Sequence, residues 1–378
     1  MRYTKLGRTG MQASVIGIGL EHMLGQPRET VVSTIRQAVE DGVTYFDVVY
    51  SMSDYLDDVG AGFRGNRHRV LLTSHLGSTD KKGQYHKTRG LKRCEATFHD
   101  VLERLGTDYI DVLFLHNFNT LKDWERSSRG YLDLALRLRE QGKARYLGVS
   151  GHNAGTVDRI INEGAVHVVM FPVNLSNHAM RRRQDLLSRC AHDGIGLVAM
   201  KPFGGGKLLN GRGTIRVPKY QTGGSEAFKA KIRPGITPVQ CLSYTMSQIG
   251  VNVTLPGVRK PQELEAALEI VEADQKARDF SQRLADFDRY VEGECTYCNH
   301  CLPCPAYIDI GQVNRLLDEA RFLGAAGLQE AYQAMPAPAS ACTACGACET
   351  RCPFGVDVIE TMEGAATLFE DAGIAGTL

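Results

Sequence analysis

The chain has 378 residues, enough for one large domain and one small one. Its 44 Lys and Arg residues nearly balance 43 Asp and Glu residues, and the formal net charge is +1. That balance gives no general pull on nucleic acid or anionic lipid, and no apolar run of the ~18 residues needed for a bilayer span appears. The opening, M-R-Y-T-K-L-G, lacks the pattern of a secretory signal, so a reducing cytoplasm is the expected setting.

From the N-terminus to about residue 275, short β-rich runs alternate with longer helical patterns. Strands are expected at Ser14–Gly19, Tyr45–Val49, Val70–Leu76, Tyr109–His116, Ala144–Ser150, His167–Asn174, Gly196–Lys201 and Val251–Pro256. Helices are expected between them, among them Lys87–Leu105, Tyr131–Gln141, Arg181–His192, Thr237–Ile249 and Pro261–Ala273. The last of these opens with proline and glutamates, residues suited to a first turn. Eight β–α units in sequence predict a closed (β/α)8 TIM barrel. A doubly wound sheet is the competing α/β arrangement, and eight evenly spaced strands count against it. Cys94, Cys190 and Cys241 fall in helical stretches and read as buried small hydrophobes.

Side chains alternate along a strand. Asp47, His75 and His116 therefore share the inward side at the mouth of the barrel, following strands two, three and four. His152 and Lys201 end strands five and seven, and Tyr50 and Tyr55 lie in the loop after strand two. An aspartate with two histidines is a ligand set for a divalent metal. The preferred reading is a metal-free acid–base site, with the carboxylate orienting the imidazoles. A pocket without catalysis is the third reading. The segment Gly204–Pro234, rich in glycine and lysine, interrupts the rhythm after strand seven. It reads either as a lid over the mouth or as a surface insertion.

The tail carries eight of the 11 cysteines. The expected division is a barrel over residues 1–275 and a small, mostly helical domain over 276–378. One run, C-T-Y-C-N-H-C-L-P-C-P, holds Cys295, Cys298, Cys301 and Cys304. The other, C-T-A-C-G-A-C-E-T-R-C-P, holds Cys342, Cys345, Cys348 and Cys352. The second run has the bacterial iron–sulfur spacing, and the first has the same form with a shorter last gap. Structural zinc is the alternative for paired C-x2-C units, and disulfides would require an oxidising compartment. Two [4Fe–4S] clusters are expected. In two-cluster ferredoxins the fourth cysteine of one run ligates the other cluster. The ligand sets are then Cys295, Cys298, Cys301 with Cys352, and Cys342, Cys345, Cys348 with Cys304. A helical spacer, Gln312–Ala334, separates the runs.

The opening Y-T-K-L-G-R-T-G-M-Q-A-S-V-I-G-I-G-L resembles the start of aldo-keto reductases. So do G-V-T-Y-F-D at 42–47, Y-I-D-V-L-F-L-H at 109–116, G-V-S-G-H-N at 148–153 and L-P-G-V-R at 255–259. With its tail, the chain resembles the branch of that family with a C-terminal 4Fe–4S ferredoxin-like module. The resemblance implies NAD(P)H-linked reduction of a small carbonyl compound. It also implies a site of aspartate, tyrosine, lysine and histidine, of which Asp47 and His116 match. Met52 stands at the tyrosine position and His75 at the lysine position. Methionine has no proton to transfer, so His75, or Tyr50 from the loop, is expected to take over proton delivery. Around the nucleotide, Ser150, Asn174, Lys201, Arg259 and Lys260 are the candidate contacts. If nicotinamide is not bound, a flavin or another organic cofactor is expected to join one-electron and two-electron steps. Electrons would then come from a ferredoxin- or flavodoxin-like carrier. A redox-sensing or electron-transfer protein with an inactive barrel is the remaining alternative.

Overall fold

The computed structural model describes all residues except 181, 210–213, 218–227, 232–235, 285–292, 294, 296, 298, 324 and 372–378. The chain divides into two compact units. The first comprises Met1–Gly83, Lys87–Gly204 and Gly235–Tyr290. The second comprises Gln84–His86, Gly205–Pro234 and Val291–Leu378.

The first unit is a (β/α)8 barrel. Its strands are β1 (Ile18–Gly19), β2 (Tyr45–Val48), β3 (Leu71–Leu76), β4 (Ile110–Leu115), β5 (Ala144–Ser150), β6 (Val168–Pro172), β7 (Gly196–Met200) and β8 (Val251–Leu255). They form one eight-stranded sheet in chain order, with parallel pairing throughout. Parallel bridges from Ile16 to Thr254 and from Gly19 to Gly257 bring the first strand against the last. Each strand is followed by a helix: α1 (Arg28–Glu40), α2 (Ser53–Phe63), α3 (Leu91–Leu105), α4 (Leu121–Glu140), α5 (Ala154–Ile161), α6 (Arg183–His192), α7 (Pro238–Ser247) and α8 (Pro261–Leu268).

Several boundaries differ from the sequence expectation for local reasons. Helix α4 starts ten residues before Tyr131, where Thr120 caps it by accepting from the Asp123 amide. Helix α3 starts at Leu91 rather than Lys87, because Gln84–Lys87 is extended. The helical spacer of the tail is broken into two helices. An antiparallel hairpin, Tyr3–Lys5 with Gln12–Ser14, precedes the barrel and was not expected.

The strands sort their side chains by parity. Tyr45, Val112, Phe114, Val168, Met170, Val198, Val253 and Leu255 fill the barrel interior, joined by Leu6 and Met11 from the N-terminal hairpin. The alternate residues, such as Phe46, Val48, Leu72, Leu113, Leu147, Val169 and Leu197, pack outward under the helices. Cys94, Cys190 and Cys241 are buried, and burial pushes their thiols up to about 11, 12 and 12. They are inert packing groups.

The second unit is largely helical at its C-terminal end, with α9 (Ile310–Leu323), α10 (Gln329–Gln333) and α11 (Val358–Ala366). Helix α9 packs on α11. Ile310, Val313, Leu316, Val358, Met362 and Phe369 are buried there. Phe369 stacks on Tyr332 with ring centroids 4.5 Å apart. Strands Thr214–Val217 and Phe228–Lys231 pair antiparallel in this unit. The rest of the expected lid or insertion lies mostly outside the described residues. Among the described residues no helix is long and apolar enough to cross a membrane.

Candidate active site and cluster centre

Asp47, His75, His116 and Ser150 have the inward parity of the filled interior and stand at the C-terminal ends of β2 to β5. All four are buried. Asp47 Oδ1 accepts from Thr73 Oγ1 at 2.5 Å and meets His75 Nε2 at 2.9 Å. His75 Nδ1 lies 3.0 Å from Nδ1 of His116 and 3.4 Å from Ser150 Oγ. The Ser150 hydroxyl accepts the amide of Asn117 at 2.9 Å. The two imidazoles meet edge to face at 88°. Phe114 stacks on His75 with centroids 5.1 Å apart. Gly148 makes that stacking possible, because a Cβ at this inward position would come 2.5 Å from the Phe114 ring.

A carboxylate accepts only, so Asp47 sets the His75 tautomer with the proton on Nε2. Nδ1 of a neutral His75 then accepts from His116 Nδ1–H. The arrangement is a continuous chain from Asp47 through His75 to His116. The ring nitrogens point at each other and at the carboxylate, the geometry of a hydrogen-bonded relay.

Behind this chain, Arg89 holds the backbone that carries it. Its guanidinium donates to the carbonyls of His116 at 2.7 Å and Asn117 at 3.3 Å, and to Asp123 at 2.8 Å. It also lies 3.6 Å over the Phe118 ring. Asn117 has φ +53°, a left-handed conformation that such a clamp helps hold. Tyr131 donates its hydroxyl to the carbonyl of Leu76, the last residue of β3. Burial raises the Asp123 carboxyl, but the hydrogen bond and charge of Arg89 outweigh it and hold the pKa below its ordinary value. That depression contributes stability above the unfolded pKa, and the contribution disappears as pH falls through the folded one. Arg89→Met is therefore expected to lower unfolding free energy by about 3 kcal/mol at neutral pH. In urea titrations the gap to the parent should narrow as pH falls below about 4, the ordinary carboxylate range. A gap that stays constant over that window contradicts the assignment.

In the second unit, Cys304, Cys342, Cys345 and Cys348 line one cavity. Ile308, Ile310, Val358, Ile359 and Met362 make its apolar wall. Four thiols with no carboxylate or imidazole among the lining residues suit iron–sulfur chemistry. Burial raises the Cys348 thiol, which disfavours a bare thiolate until iron shares its charge. Arg351 lines the same cavity and donates to the carbonyls of Cys301 at 2.9 Å and Pro303 at 2.8 Å. One side chain from the second cysteine run thus ties down the first. The Tyr297 amide donates to Cys295 Sγ at 3.4 Å. Cys298 lies outside the described residues.

The family model for the aldo/keto reductase family matches residues 15–288. The chain belongs to the aldo/keto reductase family. A model for a 4Fe–4S dicluster domain matches residues 293–356. Aldo-keto reductase YhdN of Bacillus subtilis is 26% identical over 297 residues, covering 71% of this chain and 88% of that protein. L-glyceraldehyde 3-phosphate reductase of Escherichia coli O157:H7 is 23% identical over 257 residues, covering 63% of this chain and 70% of that protein. In fold, the chain is similar to aldo-keto reductase AKR11C1 from Bacillus halodurans (holo form). The TM-score is 0.61 at 20% identity, over 77% of this chain and 98% of that one. This chain is an oxidoreductase of that family with a 4Fe–4S dicluster domain.

The other candidate residues of this aldo/keto reductase are dispersed in role. Met52 is half-buried at the N-cap of α2. Tyr55 donates its hydroxyl to the Leu20 carbonyl, and burial, then the charges of Asp47 and Glu21, hold its pKa well above the ordinary value. Tyr50 lines a small cavity with Ser51, Ser74 and His75. His152 is buried and its amide donates to Asn119 Oδ1 at 2.8 Å. Asn174 spends its side chain on a tight turn: it accepts from Ser176 Oγ and the Asn177 amide and donates to the Lys201 carbonyl. Lys201 has φ +57° at the end of β7. Arg259 is paired with Glu263 through Nε at 3.0 Å and Nη2 at 2.7 Å. Burial raises the Glu263 carboxyl, yet its hydrogen bonds from Arg259 bring it below the ordinary value. Lys260 is exposed.

Sequence reasoning missed Thr73, Phe114 and Arg89. Thr73 carried a usable signal, since it shares the inward parity of His75. Arg89 carried a subtler one: a cation just before a helix N-terminus opposes the dipole, which implies a compensating partner such as Asp123.

Proposed function

We propose that the barrel interconverts a carbonyl and a hydroxyl group on a small, oxygen-bearing substrate, with the proton travelling through His116, His75 and Asp47. The observation that supports this most is the 3.0 Å contact between the two Nδ1 atoms, with His75 Nε2 seated on Asp47. In the oxidative direction His116 accepts the hydroxyl proton at Nε2. Its Nδ1 proton passes to His75 Nδ1, and the positive charge comes to rest beside the Asp47 carboxylate. Reduction runs the same path backwards and delivers a proton to the developing alkoxide. The route replaces the tyrosine and lysine of the family, whose positions hold Met52 and His75. Bound NAD(P)H would supply the hydride in reduction, and bound NAD(P)+ would accept it in oxidation. Ser150 and Lys201 are the mouth residues proposed to face it.

A second reading is favoured by two observations. Arg259 is committed to Glu263, and Asn174 to its own turn, so two candidate nucleotide contacts already have internal partners. In that reading the barrel works without nicotinamide, through an organic cofactor fed by the clusters. Isothermal titration with NADPH and NADH separates the two. The first reading expects saturable binding of at least one nucleotide. No heat up to about 1 mM nucleotide, an affinity weaker than about −4 kcal/mol, leaves the second.

For the tail we infer two [4Fe–4S] clusters in the crossed sets given above, one on Cys342, Cys345, Cys348 and Cys304, the other on Cys295, Cys298, Cys301 and Cys352. The cavity shared by Cys304 with the second run supports this crossing. The clusters supply single-electron exchange with a ferredoxin- or flavodoxin-like carrier.

A further inference from the structure

Gln84 lies 220 residues upstream of Cys304 in sequence, yet belongs to the same compact unit. Its side-chain amide takes both polar groups of the Cys304 backbone. Gln84 Oε1 accepts the Cys304 N–H at 3.0 Å, and Gln84 Nε2 donates to the Cys304 carbonyl at 3.5 Å. The Tyr307 amide donates to the same carbonyl at 3.0 Å. The next residue, Tyr85, is buried and meets the His300 ring edge to face at 5.6 Å, one residue before Cys301. The tripeptide 84–86 thus grips the end of the first cysteine run at two places.

Cys304 is in a special position among the cavity thiols. Cys342, Cys345 and Cys348 come from one short run and reinforce one another's placement. Cys304 reaches the cavity alone, from a different run. The iron it binds is therefore the one whose grip depends on how firmly a single distant backbone segment is held. Partners of this kind, which orient a ligand without touching the metal, typically change metal retention by about 10- to 100-fold when removed.

We propose that Gln84 is the positioning residue that keeps Cys304 on its iron and so protects one of the two clusters from losing that iron. The proposal rests on the reading that Cys304 is a cluster ligand. The loss it guards against is oxidative. A [4Fe–4S]2+ cluster gives one electron to an oxidant, and the resulting [4Fe–4S]3+ releases one Fe2+ to leave [3Fe–4S]+. The step is slow while the thiolate holds the departing iron, and faster when the thiolate swings away.

The test uses the full-length protein, reconstituted anaerobically and treated with ferricyanide as the oxidant. The three-iron signal is followed by electron paramagnetic resonance. Gln84→Ala is expected to form it about 10-fold faster than the parent, up to one three-iron cluster per chain. Gln84→Glu keeps an acceptor for the Cys304 amide and is expected to stay much closer to the parent rate. Cys304→Ala should contain the same three-iron species as prepared. If Cys304→Ala retains two four-iron clusters, the ligand reading itself fails. If Cys304→Ala lacks one iron but Gln84→Ala converts at the parental rate, the ligand reading stands and the role of Gln84 is overturned. Equal acceleration or loss at both clusters in Gln84→Ala also overturns it, since that marks a general effect on the fold.

Discussion

His75→Gln is expected to lower turnover by about 10²- to 10⁴-fold, the usual cost of removing a proton-transfer group. The reason lies in the two contacts of the ring. His75 meets Asp47 through Nε2 and His116 through Nδ1. Glutamine can still donate to the carboxylate, but its amide cannot accept a proton on one side and release one on the other at neutral pH. The chain is broken at its centre while its shape is largely kept. Phe114 still offers a flat neighbour, and the iron–sulfur absorbance should match the parent, because His75 lies in the other compact unit. The check is steady-state kinetics on small aldehydes and ketones with a visible-absorption spectrum of the same sample. Undiminished turnover in His75→Gln removes this residue from the proton path.

Cys348→Ala is expected to take the iron content from about eight to about four atoms per chain, leaving one [4Fe–4S] cluster. Cys348 is 8% exposed and lines the cavity with Cys304, Cys342 and Cys345. The loss should also be felt by the fold. The cavity wall includes Val358, Ile359 and Met362 from α11, and Met362 is part of the small apolar core of this unit. Where ligands are gathered by a metal, binding energy is folding energy. Removing the cluster leaves those walls around a void, so limited proteolysis should cut residues 293–371 much faster than in the parent. The barrel, with its own large core, should remain intact. Iron analysis near eight atoms in Cys348→Ala contradicts the ligand set. Iron analysis near zero points to one shared site in place of two.

Much of the architecture was legible in the order of residues. The alternation of apolar runs put all eight strands within a few residues of where they lie, because an inward and an outward core each demand side chains at period two. The same parity brought Asp47, His75 and His116 to one end of the barrel. Their shared inward side needs no knowledge of distance, only counting along each strand. The two cysteine runs were legible for a different reason: cluster ligation is local in spacing, so the chemistry is written in consecutive residues.

What the sequence left open depended on orientation and on contacts between distant segments. A histidine pair at the mouth is compatible with a metal, a hydrogen-bonded relay or an idle pocket. The 3.0 Å Nδ1–Nδ1 contact, set by the stagger of β3 against β4 and by the room Gly148 leaves for Phe114, favours the relay geometry. Arg259 read as a candidate nucleotide contact, and its guanidinium is paired with Glu263, one helical turn later. Tyr55 read as a loop residue near the mouth, yet it lies in α2 with its hydroxyl turned to the Leu20 carbonyl. Arg89 had only a faintly legible role, and Gln84 none. Their partners lie 27 and 220 residues away, and no periodicity links residues that meet only after the chain has closed on itself. Period and spacing are properties of neighbours along the chain and were determined by the sequence alone. The direction of a ring nitrogen and the partner of a guanidinium are properties of neighbours in space, and only the tertiary structure decided them.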